Sequence, residues 1–226
     1  MRLFIANKNY SSWSMRPWVL LRHFDIGFDE VQLQIDSFAA DSGFKRAILA
    51  VNPTGKVPAL QDDDLLVWDS LAIAEYLAEK FPQHHLWPTD RAARARARSV
   101  CAEMHSGFAA LRSHCSMNIE ADLRHIGAIL LRDQAALGAD LARISAIWGE
   151  LLAQSGGPYL FGDFCIADAY FAPVIMRCAT YGLPLDAALT PYIQHMQMHP
   201  AVQAWVAAAC AEASFTPFAE PYRASR

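Results

Sequence analysis

The chain has 226 residues, 54% hydrophobic and 19% charged, with a formal net charge of -4. That length suits one large domain or two small ones with a packed core, and the slight acidic excess argues against a nucleic-acid binder, which carries a basic surplus. The first apolar run is too short for a signal-peptide core or a membrane span, and five scattered cysteines without a CxxC pair suit a reduced, cytoplasmic protein.

Residues 2–6 (RLFIA) read as a buried strand, and residues 15–24 as a helix that tolerates Pro17 because it lies in the first turn. Residues 30–35 alternate polar and apolar side chains, a strand signature. A short helix is expected over 44–50, stopping before Asn52-Pro53. Residues 59–61 and 65–68 read as two strands about the Asp62-Asp63-Asp64 turn, and 70–81 as an amphipathic helix opened by Ser70. The order βαβαββα is a βαβ unit followed by a hairpin and a helix. Residues 82–90 carry two prolines and no period, and read as a linker. Everything beyond is helical in pattern. One long helix is expected over 91–116, another over 119–154 ending at Ser155-Gly156-Gly157-Pro158, a buried one over 165–181, and two more over 191–198 and 201–213. The division is therefore an α/β domain over 1–81, a linker over 82–90 and an all-α domain over 91–226.

Three segments of the first domain carry chemistry. Ser11-Ser12-Trp13-Ser14 and Asp69-Ser70 open helices, where free N–H groups and the macrodipole favour anions such as a thiolate or a carboxylate. Between them, residues 52–60 (NPTGKVPAL) place Pro58 after a loop. A cis bond there would leave the Val57 N–H and C=O free to pair with a peptide-like ligand, with Lys56 beside them for a carboxylate. Together these groups suit a small anionic peptide containing a thiol.

Those motifs, in that order and spacing, make the chain resemble the cytosolic glutathione transferases over nearly its whole length. NPTGKVPAL and DSLAIAEYL (69–77) are the most specific pieces; SSWSMRPWVLL (11–21) is similar to the opening of the zeta class, and FGDFCIADAYFAP (161–173) to the start of the buried helix of the second domain. The resemblance implies a thioredoxin-like α/β domain followed by an all-helical domain, a homodimer, and glutathione as co-substrate without a metal. It gives Ser11 the role of holding the glutathione sulfur as thiolate, with Ser12 assisting and Ser14 capping the helix. Val57, next to Pro58, would pair with the cysteinyl backbone. Lys56 would lie near the glycyl carboxylate, and Asp69 and Ser70 would hold the γ-glutamyl end. The helix over 91–116 would wall the electrophile pocket with Met104, Phe108 and Leu111, facing Trp13, which stands where zeta enzymes often have cysteine.

The implied activity is addition of glutathione to small, partly apolar electrophiles. The alternatives are glutathione-dependent cis-trans isomerisation of the maleylacetoacetate type, or binding without turnover in a regulatory protein. Two departures bear on the choice. Arg177 stands offset from the arginine such isomerases use on this helix, and Cys165 replaces the Ser or Thr that precedes Asp168 by three residues, weakening the capping box. The first cysteine is Cys101, which disfavours the family's cysteine-based reductase chemistry. The arginines at 91, 94, 96 and 98 read as a solvated helix face rather than a nucleic-acid patch, and His195 and His199 share a helical spacing without further metal ligands.

Overall fold

The computed structural model describes residues 1–226. Strands β1 (Arg2–Ala6), β2 (Asp29–Leu33), β3 (Ala59–Asp62) and β4 (Leu65–Trp68) form one sheet in the order β2-β1-β3-β4. β1 runs parallel to β2 and antiparallel to β3, and β3 and β4 form the hairpin. Side chains alternate across β1, as a pleated strand requires. Leu3 and Ile5 join the main core, whereas Phe4 and Ala6 face a small cluster with Phe44 and Ile48. Helices α1 (Ser12–His23) and α3 (Ser70–Lys80) therefore share the core face, and α2 (Gly43–Leu49) covers the other.

The helical region contains α4 (Arg91–Ser106), α5 (Ala109–His114), α6 (Arg124–Asp133), α7 (Ala135–Ser155), α8 (Ile166–Tyr181), α9 (Thr190–Gln197) and α10 (Pro200–Ala211). α8 is its axle: nearly every residue is buried, and it packs against α1, α4, α6 and α9. A continuous apolar core thus spans both halves, from Leu3 of β1 to Trp205 of α10. Such burial outweighs the exposed Arg98–Glu75 ion pair (2.7 Å) that also links them. No helix is long and apolar enough to cross a membrane.

Two expected helices are each broken in two. The first ends at Gly107, after which Phe108 takes a left-handed conformation (φ 54°) before α5 begins. The second starts five residues later than expected, because the backbone at Ile119, Glu120 and Leu123 is spent on Asn9 and Thr180 instead of a helix. It then breaks at Gln134 (φ -119°, ψ 84°). Only Gly107 announces its break in the sequence. At the start of α8 the capping box expected to be weakened is present with Cys165 in the Ser or Thr place, and the Asp168 carboxylate accepts the Cys165 N–H at 3.0 Å, the Leu160 N–H at 3.1 Å and the Tyr192 hydroxyl at 3.2 Å.

Candidate active site

Two helix N-termini and one loop meet at a cleft of about 500 Å³ lined by Trp13, Lys56, Val57, Pro58, Asp69, Ser70, His105 and Arg112, among others. Ser11 is the residue before α1 and is partly exposed. It does not cap the helix with its side chain; its hydroxyl donates to Ser14 Oγ at 2.7 Å. Ser14 is not the cap expected from the sequence either. It lies inside the first turn, fully buried, and accepts the Ala6 N–H at 3.3 Å. Ser14 thus ties the Ser11 side chain to the end of β1. For Ser11 to donate to a sulfur anion, its proton rotates away from Ser14. The first N–H groups of α1 have no intrahelical acceptor and lie beneath Ser11, at the positive end of the helix dipole.

The 52–58 loop is held by Asn52, whose side-chain amide donates to the Lys56 carbonyl at 2.8 Å and whose oxygen accepts the Thr54 N–H at 3.1 Å. The Val57-Pro58 bond is cis, and neither the Val57 N–H nor its C=O is paired within the chain. Asp69 caps α3, its carboxylate accepting the Leu71 N–H at 2.8 Å and facing His105 Nε2 at 3.2 Å. These contacts hold it at φ 73°, ψ 132°, a region that residues other than glycine rarely occupy and that clusters at functional sites. Ser70 is buried, and its hydroxyl shares a 2.9 Å hydrogen bond with the Tyr170 hydroxyl from α8.

The pocket wall expected on the helical side is corrected. Met104, Phe108 and Leu111 are 2%, 6% and 0% exposed and belong to the main core. Met104 is buried on α4 before the kink at Gly107–Phe108, Phe108 and Leu111 are buried at and after it, and His105 and Arg112 are left on the cleft. Trp13 does stand in the cleft. Its ring lies between the guanidiniums of Arg16 and Arg112, at 4.2 and 4.9 Å from the ring centre, with His105 edge-on at 5.0 Å.

The family model described as "Glutathione S-transferase, N-terminal domain" matches residues 10–80. Maleylacetoacetate isomerase of Pseudomonas aeruginosa is 32% identical over 191 residues, covering 83% of this chain and 85% of its own length. The chain belongs to the glutathione transferase family. Glutathione S-transferase Z1 of Arabidopsis thaliana is 31% identical over 74% of this chain and 75% of its own, which places the relationship on the zeta side. A solved glutathione transferase homologue from a Burkholderia (BGR1), with bound glutathione, is 25% identical and superposes with a TM-score of 0.68, covering 93% of this chain and 97% of its own.

Several charged side chains that the sequence motifs did not single out lie near these cavities. Arg16 is 3% exposed, stacked between Trp13 and Tyr170, and its Nε and Nη1 have no hydrogen-bond partner. Burial lowers it to about 10, so it remains a cation at neutral pH. Arg177, expected to be offset, reaches the start of α1: it donates to Ser12 Oγ at 3.1 Å and to the Cys115 carbonyl. It lines a smaller cavity of about 350 Å³ with Trp13 and Arg112, and burial lowers it too to about 10. Lys45 of α2 donates to the Gly55 carbonyl at 2.7 Å and joins Lys56 at the other end of the site. In a protein of net negative charge, Lys56 and Arg112 on the cleft, with Lys45 and Arg177 on the cavities either side, favour anionic ligands there. The buried thiols are not part of this chemistry. Burial pushes Cys101 well up and Cys115 up to about 12, which keeps them protonated.

Proposed function

We propose that the chain binds glutathione along this cleft and holds its sulfur as a thiolate at Ser11 for attack on a small, partly apolar electrophile. The observation that carries the reading is that the Ser11 hydroxyl at a helix N-terminus and the unpaired Val57 backbone border one compartment, while Val57 and the Asp69-Ser70 helix start border the cleft next to it. The γ-glutamyl end would meet the free N–H groups at the start of α3, near Ser70 and Asp69. The cysteinyl backbone would pair with Val57 beside Pro58, and the glycyl carboxylate would meet Lys56, with Lys45 as a second cation. Ser12 is held by Arg177 and acts by fixing the loop.

A free thiol titrates at about 8.5, and a helix N-terminus with hydrogen-bond donors lowers it. The thiol proton leaves to solvent. The sulfur lone pair forms the bond to the electrophilic carbon, and the displaced electron pair departs with a leaving group or moves onto an adjoining acceptor. A second reading, addition followed by elimination after rotation about the former double bond, is favoured by Arg112 and Arg177 beside Trp13, two cations suited to a carboxylate-bearing substrate. Exposed Leu65 and Trp68 on edge strand β4 support a homodimer that covers this edge, and the unpaired cysteines support a reducing, cytoplasmic setting.

The test is the ultraviolet thiolate signal of bound glutathione against pH, with turnover of an activated aryl halide measured alongside. The thiol titrates below its free value in the native chain, and Ser11→Ala raises it and removes most of the turnover. Glutathione binding with an unshifted thiol refutes the role of Ser11, and no binding refutes the function.

A further inference from the structure

Each of the three residues before Ser11 is bonded by the helical half of the chain. The Lys8 N–H donates to Glu212, just beyond α10, at 2.6 Å, and the Lys8 carbonyl accepts the Trp205 indole N–H at 3.1 Å. The Asn9 carbonyl accepts the Ile119 N–H at 3.2 Å, and the Asn9 side chain donates to Asn118 at 2.9 Å and accepts the Glu120 N–H at 3.0 Å. The Tyr10 hydroxyl donates to Glu220 at 2.7 Å and accepts the Thr216 N–H at 3.2 Å. Asn118 then donates to Glu220 at 2.8 Å, which closes a ring through Asn9, Tyr10, Glu220 and Asn118. Ser11 makes no bond of its own to that half. Its N–H goes to the Asn7 carbonyl at 2.9 Å and its hydroxyl to Ser14. The place of Ser11 is therefore inherited from residues 8–10.

The stretch beyond α10 that closes the ring contributes little apolar burial. It leaves the helix through Ala213 in a left-handed conformation (φ 49°), which a residue with a Cβ adopts only at a cost. Phe218 meets Phe38 edge to face, ring centres 5.0 Å apart, but both rings are exposed. Of residues 212–226 only Thr216 and Glu220 are buried, and the more buried of the two carries a carboxylate. Burying a carboxylate is unfavourable unless it is paired. Burial alone would raise Glu220; the bonds from Arg223 and Tyr10 bring it below the usual carboxylate value, so it is an anion at neutral pH. Hydrogen bonds to an ionised acceptor are stronger and more closely aligned than neutral ones. The one partner of this anion in the first domain is the residue adjoining Ser11.

We propose that Glu220 and Tyr10 are positioning residues for Ser11, the carboxylate of the C-terminal stretch acting through the Tyr10 hydroxyl to hold the loop from which Ser11 meets the glutathione sulfur. The inference rests on the glutathione reading above and adds a part of the chain, the segment beyond α10, that touches neither the sulfur nor Ser11. A hydrogen bond from Ser11 to the sulfur depends on distance and angle, so a loop released from Glu220 weakens it without removing the hydroxyl.

The test is the ultraviolet thiolate signal of bound glutathione against pH, with kcat and KM for glutathione measured on an activated aryl halide and a thermal melt for each protein. The variants are Tyr10→Phe, Glu220→Asp and the double variant. Neither substitution changes the charge: the first removes one oxygen, and the second draws the carboxylate back by one methylene. Arg226→Ala is the control, on the same stretch but bonded to Glu120 and not to the loop. Each single variant should raise the bound thiol by about half a unit or more and lower kcat by about threefold or more. KM should stay within about twofold, because the two ends of glutathione are held elsewhere. The double variant should do no more than the larger single one, since both act through one bond. Arg226→Ala should leave the thiol where it is. Lower melting temperatures with an unmoved thiol in both single variants, or an equal shift in Arg226→Ala, overturn the inference and leave the transferase reading intact. Failure of glutathione to bind the native chain overturns both.

Discussion

His23, in the last turn of α1, makes the folded protein acid-sensitive in a way that can be worked out from its neighbours. Its Nδ1 lies 2.8 Å from His199 Nε2, and Phe164 stacks on both rings. His199 precedes α10 and accepts the Ala201 N–H on Nδ1, so its proton resides on Nε2 and is donated to His23. Protonating His23 on Nδ1 would set two N–H groups against each other. Burial first, and then His199, lower His23 to about 4 from 6.5; burial and then His195 lower His199 as well. Between those two values the unfolded chain binds more protons than the folded one. The contribution is complete above about pH 6.5 and is lost as pH falls towards 4. For a fully buried ring the loss between pH 7 and pH 5 would be about 2 kcal/mol; His23 is half-buried, so solvent reduces it to about 1 kcal/mol.

The assay is urea unfolding at both pH values for the native chain and His23→Gln, whose amide oxygen still accepts from His199. Asp168, which burial raises to about 6, acts in the opposite direction, but it is common to both proteins and cancels in the difference. The native midpoint should fall further on acidification than that of the variant, by about 0.3 M urea. Equal losses in the two proteins, or a His23 proton resonance that titrates near the free value in the folded chain, refute the reasoning.

Glycine at 127 is required by contact: a Cβ there would lie 1.8 Å from the Tyr181 carbonyl oxygen of α8. Gly127→Ala should cost about 1–3 kcal/mol or more and lower the thermal midpoint by several degrees. Gly138→Ala, at an open position inside α7, should instead gain up to about 1 kcal/mol in the same melts. Arg16→Met removes a buried cation whose Nε and Nη1 have no hydrogen-bond partner, so stability should hold or rise. Glutathione affinity should drop about tenfold, and its bound thiol should titrate at higher pH. A lower melting temperature with unchanged thiol titration would make Arg16 a purely structural residue.

The parts legible in the sequence were those whose signals are local. The Asp62–Asp64 turn, the α3 start at Asp69-Ser70 and the apolar run of α8 each carry their own period or cap. The late start of α6 does not, because it answers to Asn9, Thr180 and Tyr181 elsewhere in the chain. The site divides in the same way. Ser11, Lys56, Val57, Asp69 and Ser70 sit in motifs, and the structure brings most of them to one cleft. The hydrogen bond of Ser70 to Tyr170 joins residues 100 positions apart, and Arg16, Arg112 and Arg177 converge on Trp13 from three helices. Helical spacing placed Met104, Phe108 and Leu111 on one face but did not say that all three are buried in the core.

The bond from Tyr10 to Glu220 spans 210 positions, and it has a consequence for the order in which the protein is made. The loop that carries Tyr10 and Ser11 leaves the ribosome early, while the 214–220 segment bonded to it is translated some two hundred codons later. At about 5–20 residues per second that interval is on the order of ten seconds or more. Until then Phe38 and Phe44 border an open apolar hollow on the nascent chain, a surface on which a folding helper or a neighbouring chain can settle. Closure of this side of the fold is therefore a late translational event, and messages that stop before codon 220 would yield chains with the 10–14 segment but without the wall that covers it.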